Sequence, residues 1–142
     1  MMNIEIRKVN EENEKWEKSV ESLLGKKATF IEATSNYPHA YFAAYHEDEM
    51  VGHSIILKTN SWILDGLFVK KEFRSNGIAK KLTESRINYA KEMGASEIHF
   101  CCADENLASI KSHEKSGFKE YRKATKSESP VPGCWYIKNF KV

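Results

Sequence analysis

The feature that most constrains this chain is residues 69–81, Val-Lys-Lys-Glu-Phe-Arg-Ser-Asn-Gly-Ile-Ala-Lys-Lys. The apolar residues before it read as a strand ending at Val69, and from Gly77 onward they recur with the period of an α-helix. What lies between is a short loop that carries the chain from strand into helix. A helix start offers backbone N–H groups without carbonyl partners and the positive end of the helix dipole, which together favour a phosphate-like anion. Gly77 lets an anion approach the backbone closely, and small Ala79 leaves room beside the first turn. Lys70, Lys71, Arg74, Lys80 and Lys81 surround this turn against one nearby acid, Glu72. Taken alone, the same residues also read as an ordinary helix start with solvated lysines. Neither GxxxxGK[ST] nor GxGxxG occurs, which disfavours a P-loop NTPase and a dinucleotide fold.

The rest of the chain supplies the framework for that turn. Residues 3–8 alternate and read as a strand; Asn10 then caps a helix whose apolar face is Trp16, Val20, Leu23 and Leu24, ended by Gly25. A short second helix is expected over 27–33 and a loop over 34–39, around Asn36, Tyr37 and Pro38. Strands at 40–45 and 50–57 form a hairpin through Glu47, Asp48 and Glu49, and a further strand covers 61–69. The helix after Gly77 puts Ile78, Leu82, Tyr89 and Met93 on one side and closes at Gly94. A strand at 96–102, a short helix at 106–115 stopped by Gly117, and strands near 118–126 and 134–140 complete the order. The reading is β-α-α-β-β-β-α-β-α-β-β, a sheet covered by helices on both faces, as one domain over residues 1–142.

Charge and composition narrow the function. Lys and Arg total 22 against 20 Asp and Glu, so the +2 balance argues against a dedicated nucleic-acid binder built on the 70–81 cluster. The longest apolar run, residues 40–45, is far too short to span a membrane, and the alternating N-terminus reads as neither signal nor transit peptide. The expectation is a soluble, cytoplasmic domain with no membrane partner. Three cysteines without a CxxC pair argue against a disulfide framework or a zinc site. Cys101 or Cys102 with His99 or His113 could form a Cys–His pair, yet strand alternation makes both thiols good packing residues and nothing around them supports a nucleophile. His39, His46 and His53 show no metal-ligand spacing, and no metal is expected.

Arg74-x-x-Gly77-x-Ala79 resembles the Arg/Gln-x-x-Gly-x-Gly/Ala signature of the GCN5-related N-acetyltransferases (GNAT), with Val69 five positions before the arginine as the strand end. Thirty-two positions after Arg74, Asn106-Leu-Ala-Ser-Ile-Lys-Ser-His113-Glu-Lys-Ser-Gly117-Phe118 is similar to the second motif of that family. Val51-Gly52 resembles the hydrophobic-Gly pair of its third strand. The resemblance implies an α+β fold with a mixed, mostly antiparallel sheet. It implies acetyl-CoA as co-substrate and direct transfer of the acetyl group to a primary amine. A splayed V between the fourth and fifth strands would hold the pantetheine along Leu67, Phe68 and Val69. The diphosphate would lie against Arg74, Ser75, Asn76, Gly77, Ile78 and Ala79, with Asn106 opening the second cofactor motif.

Acyl transfer requires removal of the amine proton, stabilisation of an oxyanion and protonation of the leaving thiolate. By resemblance, a backbone N–H near Leu67 or Phe68 serves the oxyanion. His113 stands where the family often has a tyrosine acid; its alternative is a histidine packed beside the cofactor sulfur. Alternation puts Asp65 on one face with Leu67 and Val69, which makes it the candidate base, against a water chain or an edge ion pair. The acceptor is a small-molecule or peptide amine, walled by residues 32–41 and 126–135. Tyr37, Tyr41, Trp62 and Trp135, with Glu32 and Asp65, are candidates to hold it, against a packing role for the aromatics. A homodimer is a candidate assembly. A non-catalytic acyl-CoA-binding or sensing module is the competing function.

Overall fold

The computed structural model describes residues 2–140. Seven strands form a single mixed sheet in the order β1-β2-β3-β4-β5-β7-β6. They are β1 (Glu5–Lys8), β2 (His39–His46), β3 (Glu49–Lys58), β4 (Trp62–Val69), β5 (Glu97–Ala103), β6 (Lys119–Lys123) and β7 (Gly133–Asn139). The helices are α1 (Glu14–Leu24), α2 (Phe30–Thr34), α3 (Ile78–Glu92) and α4 (Leu107–Lys115). Every strand pairing is antiparallel except β4 with β5. The α+β sheet with helices on both faces is the architecture the residue pattern predicts.

Two local signals act differently from the sequence reading. α1 starts four residues later than Asn10 because Asn13 is the cap: its side chain accepts from Trp16 N at 3.0 Å, which sets Trp16 against the sheet. The β2–β3 hairpin turns through Glu47 and Asp48 alone, both at positive φ, the mirror-image turn that two-residue hairpins favour.

The two faces of the sheet bury different cores. On one, Trp16 and Val20 of α1 pack with Tyr41, Ala43, Met50 and Ile55. On the other, Ile78, Leu82, Ile87 and Ala90 of α3 pack with Phe42, Ala44, Val51, Ile56, Trp62 and Leu64. Met93, expected on the apolar face of α3, is instead 53% exposed where the helix ends. A Cβ on Gly52 would lie 3.2 Å from Leu82 and 3.3 Å from Ile78. The glycine of the Val51-Gly52 pair therefore lets α3 sit close on β3. Among the described residues no helix is long and apolar enough to cross a membrane.

The element that organises everything else is β4. Its parallel pairing with β5 is confined to Trp62 with Ile98 and Ile63 with His99, after which the strands diverge. Beyond that point the facing edges of both strands lack each other as partners, and a V-shaped gap opens between them.

Candidate functional site

The loop after β4 has the properties its residues predict. A single 3₁₀ turn, Lys71–Phe73, leads to Arg74, whose Nε donates to Val69 O at 2.9 Å. That bond gives the five-residue Val69–Arg74 spacing a physical reason: the arginine ties the loop back to the strand end. Asn76 braces the same loop by donating Nδ2 to Phe73 O and Arg74 O, each at 3.1 Å. Ser75 and Gly77 both adopt positive φ, and a Cβ on Gly77 would meet nothing within 4 Å. The space above Gly77 is open.

Lys81 is the first residue to close a helical bond, to Gly77 O at 3.1 Å, and no side chain caps the helix. The amides of Ile78, Ala79 and Lys80 therefore point out of the helix start without helical acceptors, and no acid lies in this first turn. The Ile78 side chain itself is buried in the core, so this position can serve a ligand only through its backbone. The cation cluster is smaller than the sequence suggests, because Lys70 is engaged by Glu49 at 2.6 Å across the sheet edge. Lys71, Arg74, Lys80 and Lys81 remain exposed around the turn, Lys80 lying 3.9 Å from Glu84. An open, uncapped, cationic helix start fits a phosphate group.

Between β4, β5, α3 and α4 lies a cleft of about 280 Å³. Leu64, Leu67, Phe100, Cys102, Asn106 and His113 are among its walls. Asn106 caps α4, its Oδ1 accepting from Ser109 N at 3.2 Å. His113 is buried, stacked on Phe100 with ring centroids 3.7 Å apart. Its Nδ1 lies 2.8 Å from Ser109 O and must donate to that carbonyl, so the neutral ring keeps its lone pair on Nε2. Burial, with a contribution from the Arg86 charge, holds its pKa below the usual histidine value. The prevailing form at neutral pH is thus an acceptor, the opposite polarity from the general acid that the second motif suggests.

A second cavity, about 460 Å³, lies on the α1 side of β4. Its walls come from Leu24, the α1–α2 connection with Lys26, Lys27 and Thr29, Phe30, His53 and Ile55, and Asp65 through Phe68. Asp65, Gly66 and Leu67 line both spaces, so β4 is their common wall. There the ladder is irregular: Ile55 pairs with Asp65 while His53 pairs with Phe68, and Gly66 has φ +57. This bulge corrects the expected alternation. Leu67 and Val69 pack with the α3-side core, whereas Asp65 pairs with Ile55, which belongs to the α1-side core. Asp65 therefore does not share a face with Leu67 and Val69. Its exposed carboxylate accepts from Gly66 N at 2.8 Å.

The expected acceptor aromatics are placed otherwise. Tyr41 is 1% exposed and bonds to Thr34, and Trp62 is 4% exposed beneath α3, so both are core. Trp135 stands against Arg122 on the far side of β7, and Tyr37 is exposed. Of the acceptor residues named from sequence, Asp65 alone lines the α1-side cavity among the described residues. Reasoning from sequence missed His53, Lys26, Lys27, Phe30 and Arg86. His53 accepts from Trp16 Nε1 at 3.1 Å, and burial lowers its pKa to about 4, so it is neutral at pH 7. Its alternation with Ile55 on the strand beside β4 was the available signal. The thiols do not compete as nucleophiles: burial raises Cys101 and pushes Cys102 up to about 11.

Comparison with known proteins agrees with this geometry. The family described as "Acetyltransferase (GNAT) family" matches residues 6–118. N-alpha-acetyltransferase 30 of Schizosaccharomyces pombe is 31% identical over 94 residues, which is 61% of this chain and 62% of that protein. The match thus spans under two thirds of that curated relative. A crystal structure of the NatC complex bound to Gag peptide and CoA superposes with a TM-score of 0.82 at 18% identity, covering 99% of this chain and 100% of that one. The ribosomal-protein-S18-alanine N-acetyltransferase of Escherichia coli gives 0.79 at 14% identity, covering 99% and 96%.

Proposed function

The chain belongs to the GNAT acetyltransferase family, and from that premise we propose that it moves the acetyl group of acetyl-CoA to the N-terminal α-amine of a peptide or protein. The observation that carries the reading is the shared wall. A cleft beside α3, the helix whose start is phosphate-compatible, and a separate cavity share Asp65, Gly66 and Leu67 as a wall, so donor and acceptor can reach one point from opposite faces of β4. Similarity to N-alpha-acetyltransferase 30 supports the choice of an α-amine. The apolar walls Leu24, Phe30 and Ile55 suit an uncharged first side chain, and exposed Lys26 and Lys27 at the cavity disfavour a cationic one.

The residues divide the work as follows. The amides of Ile78, Ala79 and Lys80, with Arg74 beside them and Ser75, Asn76 and Gly77 shaping the turn, hold the diphosphate. The edge of β4 along Leu67, Phe68 and Val69, which lacks β5 as a partner, faces the pantetheine, and Asn106 keeps α4 in place beside it. Bound acetyl-CoA supplies a thioester, whose C–S bond breaks as the new C–N bond forms. Asp65 takes one proton from the incoming ammonium and passes it to solvent, while a second ends on the CoA sulfur. A backbone N–H at Leu67 or Phe68 stabilises the oxyanion. A thiol with a pKa of about 8.5 leaves readily as thiolate, so His113 walls the sulfur rather than supplying the proton.

The test is an acceptor panel with acetyl-CoA: peptides with free N-termini, the same peptides N-blocked but carrying lysine, and small amines. Mass spectrometry and free-thiol release are the readouts. Acetylation confined to free N-termini is expected. Asp65→Asn should lower kcat by about 10²-fold with the KM for acetyl-CoA unchanged. Transfer only to small amines or lysine overturns the substrate class. CoA binding without turnover on any acceptor returns the protein to the binding-module reading.

A further inference from the structure

Arg86 is an arginine on the buried face of α3, one turn after Leu82, and it is 1% exposed. Among the described residues no carboxylate lies within ion-pair distance of it. Its guanidinium is instead spent on neutral acceptors. One nitrogen, Nη1, donates to Ile55 O at 3.0 Å and to Asp65 O at 3.2 Å. Nη2 donates to Thr83 Oγ1 at 3.1 Å and Nε to Leu82 O at 3.3 Å, which fixes the fork on its own helix. Ile55 and Asp65 are cross-strand partners at the place where the β3–β4 register shifts. Burying a charge without a counter-ion is costly, and burial holds Arg86 down to about 9. A fold would gain as much from an apolar residue here, and a guanidinium is needed only if the bulge carbonyls must be held.

We infer that Arg86 is a positioning residue for acetyl transfer: it clamps the bulge from the α3 side and so fixes where the Asp65 carboxylate and the Leu67 backbone meet the reacting atoms. The inference rests on the acetyl-transfer reading above for its kinetic consequence, though not for the clamp itself. A displacement of about 1 Å at such a point costs about 10²-fold in rate. Arg86 makes no hydrogen bond to the turn at residues 74–80, although it lines the cleft, so its loss falls mainly on kcat rather than on cofactor affinity.

The experiment compares wild type with Arg86→Met, which keeps length and fills the site, and with Arg86→Lys, which keeps a donor. Met is expected to leave a cooperative thermal transition, to lower kcat by about 30- to 100-fold and to leave the KM for acetyl-CoA within about threefold. Lys should recover most of that loss. A purely structural arginine would move the melting temperature without this split. Amide hydrogen exchange at Ile55, Asp65 and their ladder neighbours is the second readout, expected to quicken by about tenfold or more in Arg86→Met and by less in Arg86→Lys. Unchanged exchange, or an unchanged kcat in folded Arg86→Met, overturns the inference. If Arg86→Met does not fold, the same kcat and exchange readouts in Arg86→Gln, too short to hold both carbonyls, decide it. If wild type itself transfers no acetyl group, the functional reading fails and exchange alone decides the clamp.

Discussion

On the α3 side of β4 the proposed anion site is made of backbone, the uncapped start of α3 and the free edge of β4, whereas the cavity on the α1 side is walled by residues from α1, its connection to α2, β3 and β4. A backbone site demands few particular residues: a glycine at positive φ, an uncapped first turn, a strand edge left unpaired. It therefore leaves a short, regular signature. A side-chain site spreads its demands over distant positions, each of which can change by itself. The difference explains why one side of the same strand announces its chemistry and the other does not.

Three changes probe that contrast. Gly77→Glu should hit the backbone side hardest, because it puts a negative charge and a strained φ at the proposed diphosphate site. Calorimetry should show CoA affinity falling about 10³-fold, while Gly77→Asn, which tolerates positive φ, stays within about fivefold. Undiminished affinity in a folded Gly77→Glu variant would move the diphosphate elsewhere.

The α1 side carries a pH liability. His53 has a folded pKa of about 4 against about 6.5 unfolded, so the unfolded chain binds more protons between those values. Stability is complete above pH 6.5 and declines as pH falls toward 4. About 2 kcal/mol should disappear by pH 5. Thermal melts of wild type and His53→Gln, which preserves an acceptor for Trp16, isolate this contribution because titrations common to both cancel. Parallel pH profiles would mean that His53 is not held neutral.

His113→Phe is the smallest of the three. With its Nδ1–H given to Ser109 and its stacking on Phe100 retained by the new ring, kcat should fall by less than about tenfold. A larger loss with an altered pH profile would restore the proton-donor role and give the α3 side a side-chain catalyst after all.

The same contrast governs what could be read in advance. The order of elements along the chain, α3 and the open helix start follow from periodicity and from Gly77, since backbone geometry writes itself into local pattern. The face of Asp65 did not, because alternation counts every residue as one step and the Gly66 bulge inserts an extra one. A glycine inside a strand was the visible warning. Tyr41 and Trp62 misled for a related reason: in a sheet covered on both faces, an aromatic on either face becomes core. Arg86 was visible as a charge four residues after Leu82 on an apolar stripe, but only the tertiary structure shows which carbonyls it meets.

The connection between α1 and α2 is held lightly. Ala28 N donates to Glu21 Oε2 at 3.0 Å and Thr29 N to Lys27 O at 3.0 Å, and no strand ladder runs through it. In evolutionary terms this separates two inheritances. Loops outside a ladder accept exchange and insertion far more readily than the elements they join. Lineages can therefore rewrite residues 26–29, and with them the wall of the larger of the two cavities, without disturbing the turn at Gly77.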